Sequence, residues 1–297
     1  MHPPAYPMPI PHRGLTQAAP ENTMEAIQAA AECGFRAVEV DIRMSGDGEI
    51  VVIHDADLTR LTLGHPSKAS TGIVADMTWQ ALSQAELPYA NHLLLDFPAG
   101  GFPDEFMAIN PYRLLGQDER HLYARELQAD PRMAKIPLFK DLARWVKHDA
   151  PDGFLLEIEF KVPHMVRKMD EIVRRADIAD NCIFFSGSWA HNEEIQQFYR
   201  TSAKPTGLKL GANIRKLTPK AKEWLEGKDV DEVGLDAWRF SLEDVAYLSD
   251  RGIRVFSNLG DTPDWWAKLR TMPIAGFKTN FAERASRCLM TGHMDLF

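Results

Sequence analysis

The chain has 297 residues, 45% of them hydrophobic, and a formal charge of −8. That is enough apolar material for a sizeable core, in one large domain or two smaller ones. The acidic balance, with a pI near 5.7, argues against a nucleic-acid binder or a polybasic membrane binder. It leaves anionic substrates open, because a bound cation can reverse the local sign. The three cysteines, Cys33, Cys182 and Cys288, are far apart and show no CxxC spacing. They predict neither a zinc site nor a disulfide framework, and read as small, partly buried thiols. The first residues, Met1-His2-Pro3-Pro4, carry no basic and then apolar pattern, and no apolar run reaches about 18 residues. The expectation is a cytoplasmic enzyme without stable membrane insertion; a homo-oligomer is compatible with it.

In chain order, the first predicted strand covers residues 8–12. A helix follows at 22–33, with Asn22 as N-cap and Gly34 as stop. The strand at 37–43 and the segment 50–54 are separated by too few residues for a parallel crossover, so they form a β-hairpin. Centring its turn on Gly46-Asp47 pairs Met44 with Glu49, Asp41 with Val52 and Glu39 with His54. Residues 63–135 break the alternation with many prolines and Gly100-Gly101. They are too long for a simple loop and read as an insertion packed over one end of the domain.

From residue 154 onward, strands at 154–161, 182–186, 207–211, 232–236, 253–258 and 275–279 alternate with helices at 166–176, 192–201, 219–226, 242–251 and 263–271. Repeated strand–helix units imply parallel strands with crossover helices. Eight such strands predict an α/β fold of TIM (β/α)8 barrel type, with an insertion after the hairpin that follows the second strand. One domain then spans 1–297, and Trp265-Trp266 belongs to its core.

Strand parity carries the chemistry. Val38, Val40 and Ile42 share one face and should meet the helices, sending Glu39, Asp41 and Arg43 into the barrel. Glu157, Glu159 and Lys161 alternate in the same way with Leu156, Ile158 and Phe160. Two strands therefore direct carboxylates into one space, and oxygen ligands of this kind suit magnesium, calcium or manganese. His12 lies beside Arg13 and Gly14 at a strand end, and the hairpin returns His54 towards Glu39. Arg13 beside a cation can grip a phosphate oxygen. The alternative is purely structural: interior ion pairs such as Glu159 with Lys161 or Arg43 with Asp41, and hydrogen-bonded histidines.

Together, His12-Arg13-Gly14, Pro20-Glu21-Asn22-Thr23, Glu39-x-Asp41, Asp47-Gly48, His54-Asp55-x-x-Leu58-x-Arg60 and Glu159-x-Lys161 resemble the glycerophosphodiester phosphodiesterases. The resemblance is dense over residues 11–62 and returns at 155–161. It implies a TIM barrel with an insertion after the hairpin. It also implies metal-dependent hydrolysis of glycerophosphodiesters to sn-glycerol 3-phosphate and an alcohol. On it, Glu39, Asp41 and Glu159 are metal ligands for one divalent cation, Mg2+ or Ca2+ with Mn2+ possible. His12 and His54 are the acid/base pair, and Arg13 and Lys161 bind the phosphate. The partner is a small phosphodiester and not nucleic acid. Phe256-Ser257-Asn258-Leu259 and Thr279-Asn280 depart from the family's Trp-Thr-Val-Asn and Thr-Asp, which puts the head group in question. The rival readings are a phospholipase D-like or cyclising phosphodiesterase acting on lysophospholipids, a metal-dependent lyase or aldolase, and a non-catalytic phosphoester binder.

Overall fold

The computed structural model describes residues 6–62, 71–89 and 132–291. Strand β1 (Met8–Pro11) leads to helix α1 (Met24–Glu32), then to β2 (Ala37–Met44) and β3 (Ile50–Val52). The short helices α2 (Thr59–Thr62) and α3 (Trp79–Leu82) and the two-residue strands β4 (Leu87–Pro88) and β5 (Met133–Ala134) follow. Strand and helix then alternate: α4 (Phe139–His148), β6 (Leu155–Phe160), α5 (Val166–Ala176), β7 (Cys182–Phe185), α6 (Trp189–Thr201) and β8 (Lys209–Arg215). The chain continues through α7 (Pro219–Leu225), β9 (Glu232–Leu235), α8 (Leu242–Ser249), β10 (Arg254–Ser257), α9 (Pro263–Leu269), β11 (Gly276–Thr279) and α10 (Ala282–Thr291).

Among the described residues, the main sheet has nine strands in the order β1-β11-β10-β9-β8-β7-β6-β2-β3, and only β3 joins it antiparallel. An isolated parallel bridge, His12 to Glu39, joins the end of β1 to β2 and closes the other eight into a barrel. The expected (β/α)8 fold is therefore present, and each of the eight expected strands is found. Parity also holds. Val38, Val40 and Ile42 pack with Leu156, Ile158 and Phe160 against Phe139 and Leu142 of α4 and Met169 and Val173 of α5. Across the barrel, Val233, Leu235, Val255 and Phe277 pack on Trp265, Trp266 and Leu289. The Trp265-Trp266 pair is core, 0% and 1% exposed. Each such ring contributes about 4–6 kcal/mol of gross transfer free energy before the cost of ordering it.

Three local expectations are corrected. The hairpin pairs Met44 with Ile50, Arg43 with Val51 and Ile42 with Val52, one residue away from the predicted register. The turn holds three residues rather than two. Ser45 N donates to Glu49 O, Gly48 N donates to Ser45 O, and Gly48 takes a φ of 83°, which is a type I turn closed by a left-handed residue. Asn22 is not the N-cap of α1. Thr23 caps it by accepting from Ala26 N, and Asn22 sits at a φ of 57° with its side chain turned elsewhere. Cys33 is exposed, whereas Cys182 and Cys288 are buried. Helices α4 and α10 were not anticipated. The residue before α4 is Leu138, which offers no side-chain cap to announce the start.

Residues 63–70 and 90–131 of the expected insertion lie outside the described residues. What is described of it packs on the hairpin. Val74, Leu82, Leu87 and Ala134 gather with Val51, Ile53, Leu58 and Leu61. Gly46 N donates to Met77 O, and Trp79 N donates to Asp47 Oδ1. Gly46 is required there, because a Cβ would lie 2.8 Å from Ala75 O.

Candidate active site

The site is built where β1, β2, β6 and β11 end. After β1 the chain reverses through two left-handed residues, Arg13 (φ 61°) and Gly14 (φ 88°). A Cβ on Gly14 would meet Ala26 Cβ at 2.8 Å, so the glycine lets the loop press onto α1. The reversal turns Arg13 inward. Its backbone N donates to Glu39 Oε2 at 3.0 Å, its Nη1 donates to Glu21 Oε1 at 2.8 Å, and its Nε lies 3.2 Å from Asp41 Oδ2. Asn22 locks the other side. Its Nδ2 donates to Asp41 Oδ2 at 2.9 Å, and its Oδ1 accepts from Asp41 N at 3.0 Å. The Pro-Glu-Asn-Thr stretch thus supplies a partner for Arg13, a brace for Asp41 and a helix cap.

Glu39 and Asp41 are fully buried, and with Glu159 they bring one carboxylate oxygen each within 4.8 Å of one another. Lys161 Nζ stands 3.0 Å from both Asp41 Oδ1 and Glu159 Oε1. Gly187 N donates to Glu159 Oε1 at 3.3 Å. Burial pushes Glu39 well above the ordinary carboxylate range, and the Asp41 charge adds to the rise. Burial would raise Asp41 too, but Lys161 and Arg13 overcome it and hold Asp41 far below that range. Glu39 Oε1 is buried without a hydrogen-bond partner among the described residues. A cluster of hard oxygens with one left unsatisfied could hold a divalent metal ion. Of the interior ion pairs weighed as the structural alternative, Glu159 with Lys161 is present, and Lys161 also reaches Asp41; Arg43 instead donates its Nε to His54 O.

The two histidines flank this cluster. His12 Nε2 is 3.8 Å from Glu39 Oε2, and its Nδ1 is 2.8 Å from Asn280 Oδ1. Asn280 is held in turn by Asp261: its Nδ2 donates to Asp261 Oδ2 at 2.7 Å and its backbone N to Asp261 Oδ1 at 2.9 Å. Thr279 Oγ1 donates to Asp261 Oδ1 at 2.6 Å. The Asp261 carboxylate thereby sets which end of the Asn280 amide faces His12, so His12 carries its proton on Nδ1 and turns an Nε2 lone pair to the pocket. Burial, helped by the Arg13 charge, pushes His12 down to about 3, so the ring is neutral near pH 7. Burial pushes Asp261 up to about 6, against the pull of its three hydrogen bonds.

His54 arrives by a different route. Although the register differs from the predicted one, Ile53 N donates to Asp41 O and Arg43 Nε donates to His54 O at 2.7 Å. His54 is thus delivered just past the end of the pairing, beside Asp41. Its Nδ1 is 2.7 Å from Asp55 Oδ1. Arg60 Nε donates to Asp55 Oδ2 at 2.7 Å, and Arg60 Nη1 and Nη2 donate to Glu21 at 2.8 and 2.7 Å. Burial raises Asp55, but hydrogen bonds from His54 and Arg60 pull it below its ordinary value.

All seven sequence-predicted residues, His12, Arg13, Glu39, Asp41, His54, Glu159 and Lys161, therefore converge on one end of the barrel. Sequence reasoning marked Asn280 as a departure bearing on the head group but missed its contact with His12, and it missed Asp261 and Lys278 altogether. Lys278 is buried, with Nζ 3.1 Å from Glu157 Oε2 and 3.8 Å from the centre of the Phe185 ring. Its parity with Asn280, just past the end of β11, was readable, but its partner on β6 was not, because only barrel closure brings them together.

Fold and site define a class: a (β/α)8 barrel whose strand ends assemble a buried acidic pocket between two histidines and two cationic side chains. The sequence profile of the Glycerophosphoryl diester phosphodiesterase family matches residues 12–284, and the chain belongs to that family. Over 95 residues it is 40% identical to glycerophosphodiester phosphodiesterase 1 of Bos taurus, covering 32% of this chain and 27% of the bovine protein. Over 96 residues it is 41% identical to the Homo sapiens protein of that name, covering 32% of this chain and 26% of that one. The matched stretch thus spans about a quarter of the length of these curated relatives. Among solved structures, an Oleispira antarctica phosphodiesterase in complex with the product sn-glycerol-3-phosphate superposes with a TM-score of 0.69 at 18% identity, over 96% of this chain and 98% of that one. A glycerophosphodiester phosphodiesterase from Thermotoga maritima gives 0.62 at 21% identity, over 95% and 98%. These likenesses show the fold. No helix among the described residues is long and apolar enough to cross a membrane.

Proposed function

We propose that the chain hydrolyses glycerophosphodiesters to sn-glycerol 3-phosphate and an alcohol, with His12 and His54 as the acid/base pair. The observation that carries this reading is the Glu39–Asp41–Glu159 cluster set between those histidines, with Arg13 and Lys161 against it. Glu39, Asp41 and Glu159 would hold one divalent cation, magnesium, calcium or manganese. When bound, it neutralises charge on the non-bridging phosphate oxygens. Arg13 and Lys161 orient the phosphate by charge-assisted hydrogen bonds. His12, neutral and with Nε2 turned inward, takes the proton of the attacking hydroxyl. That hydroxyl is water or the glycerol's own 2-hydroxyl, the latter leaving a cyclic phosphate for water to open. His54, with Nδ1 anchored on Asp55, gives a proton to the departing alcohol from Nε2. The product named in the Oleispira antarctica complex supports the substrate class.

The test is release of sn-glycerol 3-phosphate from glycerophosphocholine, glycerophosphoethanolamine and glycerophosphoglycerol, with magnesium, calcium or a chelator. Release that needs metal and disappears in Glu39→Ala bears the proposal out. His12→Ala and His54→Ala should each lower turnover by about two to four powers of ten, and near-normal turnover in both would sink the mechanism. Release from lysophospholipids alone would move the substrate to that class.

A further inference from the structure

β9 stands four strands from β2 in either direction round the closed barrel, so it lies on the wall opposite the acidic cluster. Glu232 and Gly234 on β9, and Asp236 just past its end, share the inward parity. A Cβ built on Gly234 would lie 2.0 Å from Asn213 Oδ1 and 2.5 Å from Asn258 Oδ1. The missing side chain therefore leaves a cradle into which carboxamide oxygens lean from β8 and from the end of β10. Asn258 Nδ2 donates to Asp236 Oδ1 at 3.0 Å, which fixes its amide and aims Oδ1 at the cradle. That oxygen is buried and has no hydrogen-bond partner among the described residues. The wall is thus lined by acceptors: Asn213 Oδ1, Asn258 Oδ1 and the Asp236 carboxylate. Two residues on, Trp238 is held at a φ of 65° and is 45% exposed at the same strand end, its ring 4.8 Å from that of Trp265. A non-glycine residue kept in this conformation marks a position set by its surroundings.

Acceptors in a partly buried wall ask for a ligand with O–H or N–H donors and no negative charge. Resting on the phosphodiester reading above, we propose that Asn213, Asn258 and Asp236 around Gly234 form the subsite for the substrate's leaving alcohol. The subsite selects alcohols that end in hydrogen-bond donors, a primary ammonium or a hydroxyl. A trimethylammonium head carries the same charge as a primary ammonium but has no N–H to offer, and it leaves the Asn258 oxygen unsatisfied. A site built to receive donors discriminates strongly against an analogue that lacks them.

The experiment compares kcat/KM for glycerophosphoethanolamine, glycerophosphoglycerol and glycerophosphocholine in the wild type, Asn258→Leu and Asn213→Ala. The wild type should favour the first two over the third by roughly 5- to 150-fold, the range expected from stranding one buried acceptor. Both variants should narrow that ratio by about tenfold or more. Asn213→Ala leaves the Asn258–Asp236 bond in place, so it reports even where Asn258→Leu folds poorly. Manganese binding by titration calorimetry confirms that the opposite wall is intact in each variant. Equal rates on all three substrates in the wild type, or an unchanged ratio in both variants, overturn the subsite while the phosphodiesterase reading stands. Cleavage of none of them overturns that reading, and the subsite falls with it.

Discussion

Arg60 is the best place to test whether the polar network behind the site is structural, functional or both. Its guanidinium bridges two carboxylates. Nε and Nη2 reach Asp55 at 2.7 and 3.0 Å, and Nη1 and Nη2 reach Glu21 at 2.8 and 2.7 Å. The Glu21 side chain is 1% exposed, so Arg60→Leu takes a cation away from a desolvated carboxylate that keeps its Arg13 contact. Removing one partner of a buried pair costs about 3–5 kcal/mol, and the surviving Arg13 contact places this case at the low end, about 3 kcal/mol. At roughly 2–4 °C per kcal/mol for a chain of this order of size, the melting midpoint should fall by about 6–12 °C. The Asp55 leg is more exposed and adds little stability, but it steadies the carboxylate that holds His54. Turnover should therefore fall as well, by about two powers of ten if the ring moves by about 1 Å. Arg60→Lys should fall between, because one ammonium cannot fork onto both carboxylates. Circular-dichroism melts and steady-state kinetics on the purified variants give both readouts. A Leu variant within about 1 kcal/mol of wild type, the value of an ordinary surface pair, would show that Glu21 does not depend on Arg60 and would refute the reasoning.

Gly14→Ala should lose about 1–3 kcal/mol through overpacking against Ala26, with further strain from its φ of 88°, and should displace Arg13; urea unfolding would show the first effect and the KM the second. A divalent cation at about 100 times its Kd should stabilise the wild type by about 2.7 kcal/mol, and thermal shift should show that gain vanish in Glu39→Gln. His12 lies near 3 in the fold against an ordinary value of 6.5, so between those limits the unfolded chain binds the extra proton. The stability gained by keeping His12 neutral is therefore complete above 6.5 and is lost as pH falls towards 3. Asp55, held below its ordinary value, adds a loss of the same sign at acid pH. Burial raises Asp261 and Glu39, which contribute with the opposite sign over this range, so the readout is a difference: between about pH 7 and 4 the urea midpoint of the wild type should fall relative to that of His12→Asn, and parallel curves would count against the assignment.

The eight barrel strands and the inward carboxylates of β2 and β6 were legible in the sequence because both follow from local rules, while the choice of Glu159 over Glu157 came from the family resemblance. Period-two alternation fixes which face of β2 and β6 looks inward, and a charged inward face needs a cation or a counter-charge. The hairpin register was off by one because Gly48 could serve either as a strand residue or as the left-handed member of a three-residue turn, and the sequence alone does not choose. Asn22 looked like a cap because Asn ranks above Thr as an N-cap; Thr23 caps instead because Asp41, nineteen positions on, claims the Asn22 amide. The His12–Asn280–Asp261 chain spans 268 positions between its first two members. No periodicity reports such a contact, and only closure of the barrel creates it.

That closure depends on where the first strand meets the second. Among the described residues, the seam is one backbone bridge between His12 and Glu39, so the residue offered as base and a ligand of the acidic cluster are also the two edges of the stitch. Anything that grips both side chains at once would act as a rivet across the joint. Amide exchange along β1 and the first residues of β2 should then slow far more on loading the pocket than exchange on the opposite wall does. For this chain, occupancy of the site and integrity of the barrel would be read from the same amides.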